Sequence, residues 1–437
     1  MPFQVVGAKW LASRRRGVLA DVMGLGKTIQ AIQACDLVAA RRVAIICPAL
    51  GRINWRREFK RWSLWGPELY IESFDRLAVS KKARDAFRAF RPDTLIVDEA
   101  HYLKNRDAKR TQMVYGKWIK GDGLMLIPQR IWLLTGTPAP NYVTELWTHL
   151  RALFPELLPS GDDDGTAMSF IEFANTFAEW QPANNGGIKV TGNRQESLPR
   201  IKEILRKVML RRRVEDVGIE LPPMTWGEPV VLDIDTAGSG LSALEQGEDV
   251  SAWRRVLEAA AADTTKELYT DEDPIVMATV ARLTAELKAK AVGDLIAEEL
   301  GDGAYDKIVL FARHHSAMDI MQQQLTRFNP VRVQGGMTDK NRQQSIDRFQ
   351  TDPSVRVILV QLDAGYHSIT LTAATQVAFL ELAWTPDINA QAAKRAHRIG
   401  QLKPVFVRNF ALAGSIDDAR QLVLNRKARA LLELLED

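Results

Sequence analysis

The chain has 437 residues, 46% apolar and 26% charged, with a formal net charge of +4 and a pI near 8.9. That length exceeds the roughly 250–300 residues at which one core stops growing, so two domains are expected. The composition is that of a soluble globular protein, and the basic balance permits nucleic acid as a partner. Two cysteines, Cys35 and Cys47, exclude a disulfide framework, and no apolar run is long enough to span a bilayer. Arg14, Arg15 and Arg16 run straight into the first strand, which leaves no room for the cleavage site of a transit peptide.

In chain order, Gln4 comes first. Its amide carries both donor and acceptor, as the two-sided edge of adenine requires. Gly17-Val18-Leu19-Ala20 reads as a buried strand, and Ile29, Ile32, Leu37 and Val38 mark a helix. Between them lies Asp21-Val22-Met23-Gly24-Leu25-Gly26-Lys27-Thr28. Strand, glycine loop and helix make a phosphate-binding unit. Backbone N–H groups from Gly24, Leu25 and Gly26 and the helix N-terminus would face phosphate oxygens. Lys27 would reach the β- and γ-phosphates, and the Thr28 hydroxyl would bind Mg²⁺. Asp21 stands where the strict pattern has its first glycine.

Val43 to Cys47 is a second strand. In Asn54-Trp55-Arg56-Arg57-Glu58-Phe59-Lys60-Arg61-Trp62 the aromatic residues recur at helical spacing and would pack inward. The segment's four basic residues either decorate a solvated face or meet phosphate. Thr94-Leu95-Ile96-Val97 delivers two carboxylates at a strand's carboxyl end, where open α/β sheets bind ligands. Asp98 would hold Mg²⁺ and Glu99 would activate the attacking water. Ile131 to Leu134 is another buried strand; Thr135 and Thr137 after it could relay the state of the γ-phosphate. Residues 155–199 read as loops around a helix at Phe170 to Phe177, followed by a basic helix from Ile201 to Arg213. Leu221-Pro222-Pro223 breaks that helix and marks the junction.

The second half opens with mostly helical residues, 236–303, broken at Asp271-Glu272-Asp273-Pro274. Strands then alternate with helices: Ile308 to Ala312, Val331 to Val333, Val355 to Gln361, Val377 to Leu382 and Val405 to Leu412. This implies a second parallel sheet. Ser316 and Asp319 suggest a capping box. Thr385, Pro386 and Gly400 bracket a helix on which Gln391, Arg395 and Arg398 fall on one face. The two arginines read as arginine fingers for phosphoryl transfer; a solvated basic helix is the other reading. The expected organisation is therefore α/β. Residues 1–225 form an ATP-binding lobe with an insertion near 151–212, and residues 226–437 form a second lobe with a helical insertion near 236–300.

The motif order resembles the superfamily-two motors of the Swi/Snf type. The resemblance rests on Asp21 to Thr28, Asp98-Glu99-Ala100-His101-Tyr102-Leu103-Lys104-Asn105, Leu134-Thr135-Gly136-Thr137-Pro138-Ala139 and His397-Arg398-Ile399-Gly400-Gln401. Within that family, Thr284-Ala285-Glu286-Leu287-Lys288 is most similar to the annealing-helicase, fork-remodelling group. The resemblance implies two RecA-like lobes with helical protrusions, ATP and Mg²⁺ between them, and duplex DNA across both. It implies a DNA-dependent ATPase that translocates on double-stranded or branched DNA. An RNA-directed or strand-separating helicase, and a nucleotide-gated clamp with little turnover, are the alternatives. Carried over, Gln4 would read adenine, while His101, Thr135, Thr137 and Gly365 would couple nucleotide to DNA. Asn54, Trp55, Ser73, Lys104, Asn105, Thr137 and Thr370 would lie near the DNA. Val22 replaces the family's usual glutamate, and Tyr366 and Ser368 replace two glycines of the coupling turn. The expected protein is monomeric, free of membrane, recruited by a partner, cytoplasmic, and of bacterial or viral source.

Overall fold

Along each central strand, successive side chains feed alternate cores. Val18, Ala44, Ile46, Leu95, Val97 and Leu133 pack into one cluster. Their neighbours Leu19, Val43, Ile45, Ile96, Trp132 and Leu134 pack into another. A strand covered on both faces can be apolar at every position, which is why these runs do not alternate with polar residues. The computed structural model describes residues 1–49, 51–117, 122–139, 141–161, 166–183, 187–218, 221–235, 239, 274–362, 369–398 and 400–435. They belong to two compact units, Met1–Glu220 with Arg429–Asp437, and Leu221–Ala428. The division falls a few residues before the 225/226 position expected from sequence.

The first unit runs α1 (Pro2–Ala12), β1 (Arg16–Leu19), α2 (Lys27–Leu37), β2 (Arg42–Cys47), α3 (Gly51–Trp62), β3 (Glu68–Ser73), α4 (Phe74–Val79), α5 (Lys81–Phe90), β4 (Thr94–Asp98), α6 (Lys109–Tyr115) and β5 (Arg130–Leu134). It continues with α7 (Trp147–Leu153), α8 (Phe170–Phe177), β6 (Ala178–Pro182), β7 (Ile188–Asn193), α9 (Leu198–Val208) and β8 (Met209–Leu210). The sheet order is β3-β2-β4-β5-β1-β8, with every pairing parallel.

Two expectations are corrected here. The basic helix does not reach Arg213; it stops at Val208, and Met209–Leu210 pair with Val18 and Leu19. The free edge of β1 supplies ladder partners that an extra helical turn could not. The loop region of 155–199 also holds an antiparallel pair, β6 with β7.

The second unit runs β9 (Met224–Trp226), β10 (Val230–Leu232), α10 (Pro274–Gly301), β11 (Ile308–Ala312), α11 (His315–Gln324), β12 (Val331–Val333), α12 (Asp339–Thr351), β13 (Val357–Gln361), β14 (Gln376–Phe379), α13 (Pro386–Ala393), β15 (Val405–Leu412) and α14 (Ile416–Leu435), of which the residues from Arg429 on belong to the first unit. Its sheet order is β10-β15-β14-β11-β13-β12, with β9 also on β15, and it too is parallel throughout. Of the segment expected to be helical, residues 236–238 and 240–273, with the acidic break at 271–273, lie outside the described residues.

Ser316 and Asp319 form no capping box. The helix starts at His315, and the backbone N–H groups of Arg313 and His314 donate instead to the buried Glu381 carboxylate, at 2.8 and 3.0 Å. A carboxylate delivered from beyond β14 does the capping, which sequence spacing within the helix cannot show. Asp319 pairs with Arg332.

Candidate nucleotide-binding site

Leu134 at the end of β5 pairs with Leu19 of β1 on one side and Asp98 of β4 on the other. Three strand ends are thereby level, and the segments that leave them are Ala20 to Thr28, Glu99 to Asn105, and Thr135 to Ala139. This parallel register is what gathers motifs far apart in sequence.

The loop after β1 turns through Gly24 at φ +93° and Gly26 at φ +72°, a region that L side chains rarely adopt. A Cβ on Gly26 would also stand 2.5 Å from Gln4 Nε2. Gln4 lies on α1, is buried, and donates from Nε2 to Leu25 O at 3.4 Å. The adenine-reading candidate is thus at the phosphate loop. α2 begins at Lys27, so its N-terminus faces the loop, and Thr28 is its second residue. Lys27 Nζ donates to Asp21 O at 2.7 Å, and a Cβ on Gly136 would stand 3.7 Å from that Nζ. The lysine therefore lies against the segment that follows β5.

Asp21, the departure from the strict glycine pattern, is fully buried. Arg212 grips its carboxylate with two bonds, Nε to Oδ1 at 3.0 Å and Nη2 to Oδ2 at 2.6 Å. Gln30 Nε2 adds a third at 3.0 Å, and Arg212 also donates to Phe3 O and Gln30 Oε1. Nearby, Arg211 donates to Ala20 O and Gly136 O at 3.3 and 3.2 Å. These two arginines bind α1, α2 and both loops together. The sequence showed them only as the end of the basic helix expected from Ile201 to Arg213, with no sign of their partners.

At the end of β4, Asp98 Oδ1 accepts the N–H of Glu99 at 3.1 Å and Oδ2 accepts the indole N–H of Trp55 at 2.8 Å. Burial, then the Glu99 charge, pushes the Asp98 pKa up to about 6, against the pull of Trp55 and Lys27. Glu99 holds a left-handed φ of +52°, the kind of strained backbone that functional sites store. His101 Nδ1 lies 3.3 Å from Glu99 Oε2 and 3.3 Å from Thr135 Oγ1. Thr135 Oγ1 in turn donates to Thr137 O and accepts the Thr137 N–H. His101 therefore stands between the Glu99 carboxylate and the hydrogen-bonded pair Thr135–Thr137.

Two domain families match this chain: the SNF2-related domain over residues 3–70 and 64–227, and the helicase conserved C-terminal domain over residues 288–400. The chain belongs to the SNF2-related family. The DNA annealing helicase and endonuclease ZRANB3 of Bos taurus is 29% identical over 98% of this chain and 40% of its own. The SWI/SNF-related matrix-associated actin-dependent regulator of chromatin subfamily A-like protein 1 of Drosophila melanogaster is 31% identical over 99% of this chain and 55% of its own. The chain thus spans about half or less of the curated relatives it matches. A solved Sulfolobus solfataricus SWI2/SNF2 ATPase core in complex with dsDNA aligns along 100% of this chain and 96% of its own, at 22% identity and a TM-score of 0.41, too loose a likeness to carry an argument. The expectation of a bacterial or viral cytoplasmic protein is overturned, because these sequence relatives are animal proteins.

For this SNF2-related chain, several residues stand elsewhere than the motif pattern implies. Trp55 is not at a DNA-facing surface; it is buried, with its indole on Asp98. Ser73 is buried too, and its hydroxyl caps α4 by accepting the Arg76 N–H at 3.3 Å. Thr137 is 8% exposed, which leaves it little face for a DNA phosphate. Lys104 is paired with Glu145 at 2.7 Å, and the exposed Asn105 accepts the Asp107 N–H. Asn54 is half-buried on α3.

In the second unit, α13 ends at Ala393 with Lys394 as its C-cap, so Gln391, Arg395 and Arg398 do not share one helical face. The backbone is drawn off the helical path. Arg395 O accepts the Leu371 N–H at 2.8 Å, and the Gln401 side chain donates to Ala396 O at 3.1 Å. Gln391 is fully buried and donates to Asp387 Oδ2 at 2.6 Å. Arg395 is 6% exposed. Arg398 Nη1 donates to Ile369 O and to the Thr370 hydroxyl, both at 3.0 Å. Gly365, Tyr366 and Ser368 lie outside the described residues.

Proposed function

We propose that this chain is an ATP-dependent motor on duplex DNA that remodels forks or displaces bound strands and proteins. The observation that carries the reading is the level ending of β1, β5 and β4, which brings Lys27, Thr135 and the Asp98–Glu99 pair together. Gly24 to Thr28 would hold the phosphates of ATP, with Gln4 beside them on the adenine side. Thr28 and Asp98 offer hard oxygen donors, the set that Mg²⁺ takes together with phosphate oxygens and water. When bound, the ion would neutralise charge on the β- and γ-phosphates. Glu99 orients a water for attack on the γ-phosphorus and takes its proton as the bond to the β-phosphate oxygen breaks. Arg395 and Arg398 would supply positive charge to the transition state. The chain Glu99–His101–Thr135–Thr137 carries the state of the γ-phosphate away from the reacting atoms. Asn54, Lys104, Asn105 and Thr370 remain the DNA-backbone candidates.

Two of the relatives, a DNA annealing helicase and a regulator of chromatin by name, support DNA as the polymer acted upon. The test measures ATP hydrolysis with duplex DNA, forked DNA and RNA, and runs triplex displacement beside unwinding of a long blunt duplex. Lys27→Ala serves as the inactive control. Stimulation by DNA with triplex displacement is expected, with binding that is steeply salt-sensitive and indifferent to sequence. Stimulation by RNA alone, or long-duplex unwinding without triplex displacement, would overturn the translocase reading.

A further inference from the structure

Trp55 has a use that neither its aromatic character nor its neighbours on α3 announce. It is 1% exposed, it packs against Phe59 with ring centroids 6.1 Å apart, and it belongs to the core cluster that includes Leu19, Cys47, Ile96 and Leu134. A tryptophan needs a partner for its indole N–H when buried. Here that partner is Asp98 Oδ2, 43 residues away in sequence, at 2.8 Å.

The other carboxylate oxygen is also held, by the N–H of Glu99 at 3.1 Å. One donor on each oxygen fixes the plane of the carboxylate while leaving each oxygen a further lone pair for a cation.

We propose that Trp55 is a positioning residue for the Mg²⁺-binding carboxylate. Its indole holds the Asp98 carboxylate in place and aimed, so that the metal site is formed before the nucleotide arrives. The proposal rests on the ATP-hydrolysing reading given above. Trp55 touches neither the nucleotide phosphates nor the metal in this scheme; it acts through Asp98. Outer groups that orient a ligand typically contribute 10–100-fold to metal affinity.

Trp55→Phe keeps an aromatic ring in the core and removes the donor. ATP hydrolysis is measured against Mg²⁺ at fixed nucleotide, in wild type, Trp55→Phe and Lys27→Ala. The half-saturating Mg²⁺ concentration should rise about 10-fold or more in Trp55→Phe, with the rate largely recovered at saturating Mg²⁺. A variant that had merely loosened the core would lose rate at every Mg²⁺ concentration. The second readout is the indole ¹H–¹⁵N resonance of Trp55, assigned in wild type from its through-space contacts with the Phe59 ring. It should shift in Asp98→Asn and again when Mg²⁺ and ADP are added to wild type. This measurement needs no turnover and stands even if Trp55→Phe does not fold. An unshifted Mg²⁺ dependence in folded, active Trp55→Phe, or an indole resonance indifferent to Asp98→Asn, would overturn the proposal. Absence of hydrolysis in wild type would instead overturn the reading on which it rests.

Discussion

Arg212→Leu removes one guanidinium and with it four hydrogen bonds: two to Asp21, at 3.0 and 2.6 Å, one to Gln30 Oε1 at 2.7 Å and one to Phe3 O at 2.6 Å. Asp21 has no exposure, and after the change only Gln30 Nε2, at 3.0 Å, would still donate to its carboxylate. Breaking a buried pair from one side leaves an uncompensated charge, which costs about 3–5 kcal/mol. Because the chain has two compact units, a single unfolding curve would mix their transitions. Hydrogen exchange at the amides of β1, β4 and β5 reports the opening of this unit alone. Arg212→Leu should lower their protection by that amount. Asp21→Asn combined with Arg212→Leu should recover part of the loss, since no stranded charge remains. A loss below about 1 kcal/mol, the size of an exposed pair, or a double variant no better than the single one, would refute the assignment of this contact as the clasp of the phosphate loop.

Further outcomes follow from the site. Lys27→Ala and Glu99→Gln should both abolish turnover, but only the first should weaken ATP binding, which equilibrium titration of labelled ATP would show; near-normal turnover in Glu99→Gln would remove Glu99 as the water-activating group. Arg395→Ala and Arg398→Ala should each lower the turnover rate by about 10³-fold or more with ATP affinity little changed; a loss confined to DNA affinity would favour a solvated basic segment. Burial, with a smaller contribution from His101, pushes the His149 pKa down from 6.5 to about 3. Between those values the unfolded chain takes a proton that the folded one refuses, so stability falls as pH falls, by about 2 kcal/mol at pH 5 from this group alone. His149→Gln should flatten that slope in hydrogen exchange measured between pH 7.5 and pH 5, and an unchanged slope would show that His149 is protonated in the fold.

The phosphate loop, the Asp98–Glu99 pair and the Thr135–Thr137 segment were legible in the sequence because each is contiguous. A few neighbouring residues set a strand, a turn and a helix start, and local sterics at Gly24 and Gly26 demand those residue types. The parallel sheets were legible for a related reason: strands buried on both faces read as unbroken apolar runs, and their bounds at Ile308–Ala312, Val331–Val333 and Val405–Leu412 agree with the structure. What only tertiary structure decided is where side chains and backbone find partners across long separations. Trp55, which packs inward by its helical spacing and stands near DNA only by family resemblance, proves to be buried and to hold Asp98. Arg212 meets Asp21 across 191 residues. The helix that would align Gln391, Arg395 and Arg398 ends at Ala393, and the carbonyls of Arg395 and Ala396 beyond it accept from the distant Leu371 N–H and the Gln401 amide. Local propensity differs by tenths of a kcal/mol per residue, whereas a buried charge or backbone group left without a partner costs several times more. Wherever the two conflict, the long-range partner prevails, and no window of sequence contains it.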